Sequence, residues 1–324
     1  MTKTPPLYRN PHLPAAPQAM QRQIEYGGLT WIDFTYPSRE HVEYLRDQYG
    51  FHPLHLEDIL SRIQRPKIDD NSDPNYLFLV LHFPVFNEMS RLSTVSEIDI
   101  FIGQDFIVTT HDSRLRPHVR LVQLADELET ARTQLMARGS GFLLYRIIET
   151  LVNACFPMLN KLDEKVDQLE EHIFEADVAT SVENLSFLRR DIISLRRIIR
   201  PNIPVLHSLT ARERSFLQLD AEAYFGDLTD GMNRLWDMLE EQKEIIEGLD
   251  ATLSSLTSHR INRETKAFTL ITVIFLPMTL IASILGMNVT LPFADHPLAL
   301  PIALIIMLVL AGGMLIFFRN RRWI

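Results

Sequence analysis

The sequence predicts an α/β domain, then a long α-helical stalk, then two membrane-crossing helices. Three observations lead there. Between residues 25 and 112, β-branched and aromatic runs alternate with stretches of helical spacing. From about residue 140 the β signal gives way to apolar stripes at three- and four-residue intervals. Finally, residues 267–318 hold two long apolar runs and one formally charged residue, Asp295. A soluble core does not require two consecutive apolar stretches of about 20 residues, whereas a bilayer does.

The first 24 residues, beginning "MTKTPPLYRNPHLPAAP", are polar and Pro-rich and read as a disordered lead without a cleavable signal. The α/β domain is placed at 25–140. Its strand-like runs are "GGLTWIDFTY", "YLFLVLHFPVF" and "VSEIDIFIGQDFIVTTHD", with Gly103-Gln104 as a two-residue hairpin turn. "SREHVEYLRDQYG" reads as a helix capped by Ser38 and stopped by Gly50, and "PLHLEDILSRI" as a second helix. A helical hairpin region follows over 141–226. One of its helices carries an apolar stripe at Met158, Leu162, Val166, Leu169 and Ile173 beside an acidic face. The next has its stripe at Leu185, Leu188, Ile192, Leu195 and Ile199, shows an arginine-rich face, and ends at Pro201.

The stalk is placed at 227–287, continuing into the first membrane span. No strong helix stop interrupts it before Gly286, so it would be roughly 90 Å long. Met232, Leu235, Leu239, Ile246, Leu249, Leu253 and Leu256 form a packing seam interrupted by Gln242. Residues 288–296 form a loop, 297–318 the second span, and 319–324 a basic tail. Arg260, Arg263 and Lys266 precede the first span and Arg319, Arg321 and Arg322 follow the second, while the loop has neither Lys nor Arg. Both ends are therefore expected in the cytoplasm, with the chain crossing the inner membrane twice. The lone Cys155 fits a reducing compartment. A net charge of −9 argues against a nucleic-acid partner and suits cations. No phosphate loop or nucleophile motif suggests an enzyme.

A second stripe runs along the stalk in steps of three and four: Gly248, Ala251, Ser255, Ser258, Asn262, Thr265, Thr269, Thr272, Leu276, Thr279 and Ser283. Only Leu276 is neither small nor polar. Small residues and hydroxyls also suit helix packing in a membrane, and hydroxyls can bond back to their own helix, so that reading stays open. The alternative is a water-filled axis. One stripe cannot enclose a pore, so copies of the chain would assemble around a rotational axis. Uncharged oxygens suit a divalent ion such as Mg2+, which sheds its water reluctantly. Leu276 would form an apolar constriction, and Asn288 at the end of "GMN" would offer an amide oxygen at the mouth.

At these residues the chain resembles the CorA family of divalent-cation transporters, the two-transmembrane proteins with a Gly-X-Asn signature. The likeness covers roughly residues 25–324, through "HPLHLEDIL", "QRPKIDD", "NYLFLVLHFP", "EIDIFIGQDFIVTTHD" and "ITVIFLPMTLIASILGMN". It implies a homopentamer with a cytoplasmic funnel, gated by intracellular Mg2+ held between neighbouring subunits. It implies that Gly286, Met287 and Asn288 form the mouth and that Asn262, Thr265, Thr269, Thr272, Leu276, Thr279 and Ser283 line the pore. Asp58 and Asp227 match the intersubunit regulatory carboxylates. Two departures stand out: Leu285 precedes the signature where many members have Tyr, and the loop "VTLPFADHP" has only Asp295 as an acid. His296, and the cluster of His52, His55, Glu57 and Asp58, leave Zn2+, Co2+ or Ni2+ open as cargo beside Mg2+. A zinc transporter of the same fold and a non-conducting membrane-anchored sensor are the competing functions.

Overall fold

The computed structural model describes residues 20–61, 64–173, 178–212, 214–287 and 298–321. It divides into two compact units, Met1–Leu249 and Asp250–Ile324.

The first unit is built on a six-stranded sheet. Its strands are β1 (Met20–Tyr26), β2 (Leu29–Thr35), β3 (Lys67–Ser72), β4 (Asn75–Asn87), β5 (Leu92–Ile102) and β6 (Phe106–His111), in the order β1-β2-β6-β5-β4-β3. All neighbours are antiparallel except β2 and β6, whose parallel register sets Asp33 beside Thr109 and Thr35 beside His111. A parallel pair needs a crossover, and the chain between β2 and β6 supplies it with α1 (Arg39–Tyr49), α2 (Pro53–Asp58) and three strands.

Local chemistry sets the ends of α1. The Ser38 side chain accepts from the His41 amide, the His41 ring accepts from the Ser38 amide, and Gly50 closes the helix at φ 65°. Left-handed backbone of this kind is cheapest for glycine. Two expectations need correction. The second helix stops at Asp58, because Ser61 folds back and its hydroxyl donates to the Asp58 carbonyl. The β5–β6 turn has three residues, Gly103 to Asp105, with the Gly103 amide bonded to the Phe106 carbonyl. Glycine suits the space there, because a Cβ would collide with the Phe106 ring and force it to move.

Both sheet faces are covered, which explains why β4 is buried almost along its whole length. On one face Ile32, Phe34, Phe78, Val80, Phe101 and Val108 pack with Leu45 of α1, Phe51, and Leu56 of α2. The other carries α3 (Arg116–Glu127), α4 (Glu129–Met136), α5 (Ser140–His172), α6 (Val178–Ile199) and α7 (Asn202–Ala211). β4 and β5 outrun their neighbours, and helix side chains satisfy the overhangs. Asn202 accepts from the His82 amide at 2.9 Å and donates to the His82 carbonyl at 2.7 Å. Asp191 accepts from the Ser93 amide at 2.5 Å, and Ser194 donates to the Ser93 carbonyl at 2.6 Å.

The long helix α8 (Ala221–Leu285, 65 residues) belongs to both units, and α9 (Ala299–Asn320) to the second. Within the first unit the seam packs as expected: Met232, Leu235, Leu239, Ile246 and Leu249 are buried, and Gln242 donates to Asp163 of α5. Among the described residues, three helices are long and apolar enough to cross a membrane: α5, α8 and residues 300–320. The apolar side of α5 is already used, with Leu143, Leu144, Ile147, Ile148 and Leu151 packed inside the first unit. The apolar windows of α8 and α9 have no such cover. Phe268, Leu280 and Leu308 are 71%, 62% and 75% exposed, a state that water does not tolerate over so long a surface.

Candidate functional site

The polar stripe lies on this uncovered part of α8. Asn262, Thr265, Thr269, Thr272, Leu276, Thr279 and Ser283 are all exposed. Three of the threonines share one arrangement. Thr269, Thr272 and Thr279 donate to the carbonyls of Thr265, Phe268 and Phe275, at 2.8, 2.9 and 2.9 Å. Thr279 also reaches the Leu276 carbonyl at 2.9 Å. A hydroxyl has one hydrogen and two lone pairs. With the hydrogen committed to the helix, each of these side chains offers its surroundings an acceptor. The water shell of a divalent cation turns its hydrogens outward and asks for acceptors. Back-bonding, which suits a merely lipid-facing threonine, is thus equally the arrangement a hydrated cation would select.

Leu276 interrupts the polar row and is 66% exposed. Pro277, inside the helix, has no amide hydrogen for the Val273 carbonyl one turn before it. At the end of the row the Gly286 amide still bonds to Ala282 at 2.9 Å, while the Met287 amide reaches Ile284 at 3.3 Å, so the helix closes on a tighter turn. A Cβ at Gly286 would come within 3.2 Å of the Ala282 carbonyl. Asn288, Asp295 and His296 lie outside the described residues.

The candidate regulatory carboxylates sit on different elements of the first unit. Asp58 ends α2, partly buried, and its Oδ2 receives the Lys67 ammonium at 2.8 Å. The same Nζ is 2.9 Å from Asp69 Oδ2. Burial works against that ammonium, but Asp58 and Asp69 outweigh it and hold Lys67 above the usual lysine range. Asp58 is therefore already ion-paired within its own chain, sharing the one ammonium with Asp69, a pairing that sequence reading missed. "QRPKIDD" contains Lys67 and Asp69, but only the folding of β3 beside α2 brings them to Asp58. Asp227 is exposed near the start of α8. It lies close enough to add to the burial and the Glu149 hydrogen bond that raise the Tyr145 hydroxyl's pKa.

The histidines beside Asp58 have structural duties. His52 caps α2 by accepting from the Leu54 amide, and its own amide donates to the Tyr76 hydroxyl. His55 is hydrogen-bonded to that hydroxyl at 2.8 Å and stacks on Phe78. Burial pushes its pKa down, against the pull of Asp69.

Comparison with known proteins agrees with this architecture. Residues 26–322 match the family described as CorA-like Mg2+ transporter protein. The cobalt/magnesium transport protein CorA of Thermotoga maritima is 29% identical over 305 residues, 91% of this chain and 83% of that protein. The zinc transport protein ZntB of Pectobacterium carotovorum is 23% identical, over 74% of this chain and 71% of its own length. The complete structure of the CorA magnesium transporter from Methanocaldococcus jannaschii superposes with a TM-score of 0.79 at 24% identity, covering 91% of this chain and 92% of that one. A family match across nearly the whole length, joined to an α/β unit and two uncovered apolar helices, makes the chain a member of the CorA family, a divalent-cation transporter and not an enzyme.

Proposed function

We propose that the chain works as a homo-oligomeric channel, pentameric as in the resemblance stated above, that admits divalent cations passively. Mg2+ is the expected cargo, with Co2+ and Ni2+ as further substrates. α8 and α9 each cross the inner membrane, both termini stay in the cytoplasm, and the α8 stripe faces the axis. Asn262, Thr265, Thr269, Thr272, Thr279 and Ser283 accept hydrogen bonds from the ion's water, Leu276 forms the dry constriction, and Gly286-Met287-Asn288 forms the mouth. Asp58 and Asp227 of adjacent subunits hold the regulatory Mg2+. The observation that carries this reading is the row of polar side chains along an uncovered, otherwise apolar length of α8, three of whose threonines present acceptors outward.

The inside-negative potential drives entry, gaining about 4–5 kcal/mol per divalent ion for each 100 mV. The test is Mg2+ flux into proteoliposomes. Asn288→Ala should reduce flux at least tenfold while the oligomer still elutes at its normal size. Normal flux in that variant removes Asn288 from the mouth.

Zinc is the second reading, favoured by the similarity to a zinc transport protein and by His296 in the loop. Metal competition separates the two. Inhibition of Mg2+ uptake by hexammine cobalt, a mimic of the hydrated ion, supports the first reading, and Zn2+ flux with Mg2+ inert supports the second. A protein that binds metal but passes none is a sensor and not a channel.

A further inference from the structure

Away from the stripe and from Asp58, three ionisable side chains meet inside the first unit. Asp33 projects from β2, His111 ends β6, and His118 lies in the first turn of α3. Their side chains are 6%, 0% and 0% exposed. The parallel register of β2 and β6 puts Asp33, Thr109 and His111 on one face of the sheet, and α3 brings His118 over them. The Nε2 atoms of both imidazoles approach the one carboxylate. His118 Nε2 is 2.8 Å from Oδ1 and His111 Nε2 is 3.3 Å from Oδ2. The rings stand at 81° with centroids 4.7 Å apart, and the three ligand atoms all lie within 4.8 Å of one another.

Hydrogen bookkeeping shows what this arrangement lacks. His111 Nδ1 is hydrogen-bonded to the Asp112 carbonyl, which can only accept, so Nδ1 carries the hydrogen. In a neutral ring Nε2 is then a bare lone pair, and it faces a carboxylate oxygen. Two lone pairs at that separation, away from water, require a positive charge between them. His118 Nε2 can donate to Asp33 Oδ1 as a neutral ring or face it as a ligand atom, and in either state its buried Nδ1 has no hydrogen-bond partner among the described residues. The surroundings are those of a held ligand set. The Thr109 hydroxyl donates to Asp33 Oδ1 at 2.6 Å and is itself held by Trp31 Nε1 at 3.1 Å. A backbone carbonyl on the far nitrogen is also the usual outer partner of a metal-bound imidazole, fixing its tautomer.

We propose that Asp33, His111 and His118 form a buried binding site for a d-block divalent ion of the zinc, cobalt and nickel class. Two imidazole nitrogens and one carboxylate suit such an ion, with bonds of about 2.0–2.2 Å, and a water can complete a tetrahedral shell. Mg2+, which prefers six oxygens, does not compete. The ion would fasten β2, β6 and α3 together. It is separate from the transported ion, and the site stands whether or not the transport reading holds.

The test uses the full-length protein in detergent, stripped with a chelator, incubated with Zn2+ or Co2+ in excess Mg2+, and passed over a desalting column. The expected result is one retained ion per chain, with the intense visible absorption of four-coordinate Co2+ in the cobalt-loaded sample. His111→Gln and His118→Gln, each of which keeps most of the side-chain volume, should lose that ion, while Asp58→Asn and Asn288→Ala keep it. The wild-type spectrum decides the matter should the histidine variants fail to fold. Wild-type protein that retains no ion and shows no such spectrum holds only a proton between His111 and Asp33, which overturns the proposal. Full retention in both folded histidine variants places the metal elsewhere and overturns it equally.

Discussion

At the scale of single residues, the first unit holds carboxylates with opposite fates. Asp33 is pushed up by burial, but His118 and His111 beside it outweigh that and hold its carboxyl well below the usual range. Asp99 is not held down in this way, since the pull of the Lys67 ammonium on it is outweighed by burial. Burial first, and the nearby negative charge of Glu97 second, raise its pKa well above normal, while the Thr110 hydroxyl at 2.9 Å pulls weakly the other way. A carboxyl whose folded pKa is raised favours folding fully below its unfolded pKa of about 4, and that contribution is lost as pH climbs through the folded value. Asp99→Asn, which keeps an oxygen for Thr110, should match the wild type near pH 4 and unfold at a higher temperature at pH 8. Thermal scans of the detergent-solubilised protein at both pH values check this, and equal behaviour at pH 8 would show that Asp99 is ionised and stabilised by a group not identified above. Cys155 sits at the same scale: burial raises its thiol to about 12, so the native cysteine is a silent background for labelling introduced at stripe positions.

At the scale of elements, legibility follows from how local the cause is. α1 was readable to its ends because Ser38 and Gly50 act within one turn. β3, "KIDDNS", was not, since it has no apolar alternation and becomes a strand only by lying against β4. β1 and the helices α3 and α4 went unread for a similar reason, their order coming from contacts with the sheet and with α5. The α8 stripe was legible because helix periodicity is local information repeated along the element. Lys67 at Asp58, and His118 at Asp33 across 85 positions of sequence, are tertiary meetings that no spacing announces. The arginine-rich face of α6 is spent in part on α8, where Arg196 and Arg200 cover Trp236 and Arg196 pairs with Glu240 at 2.6 Å. Asn202, fully buried in α7, ties that helix to the overhang of β4 through both backbone groups of His82. Asn202→Ala strands the amide and carbonyl of His82, at about 1–3 kcal/mol for each unsatisfied group. The variant should lose several degrees of thermal stability and expose the β4 amides to hydrogen exchange. Unchanged exchange at His82 would show that the tie is dispensable.

At the scale of the whole molecule, the pairing of Asp58 with Lys67 bears on regulation. Under the proposed gating, an intracellular cation reaching Asp58 has to displace an ammonium already 2.8 Å away. Lys67 would then set how much Mg2+ is needed to close the assembly. Lys67→Met frees the carboxylate, so half-closure of proteoliposome flux should move to Mg2+ concentrations several-fold lower. Asp58→Asn should abolish the Mg2+ response in either background. A Lys67→Met protein with unshifted half-closure, in a chain that still responds through Asp58, would show that the ion pair is broken in the closing step for another reason.

The filled overhangs of β4 and β5 have a further consequence for a chain read as working in copies. Neighbouring domains held side by side in a ring meet at very high local concentration, where an open sheet margin invites strand exchange and fibrous growth. Here the outermost strands, β1 and β3, are short and carry charge, and the protruding backbone between them is occupied by Asn202, Asp191 and Ser194. Should copies assemble as proposed, these devices would disfavour pairing through the sheet margins and favour recognition through side chains, which lets a stoichiometry close instead of propagating.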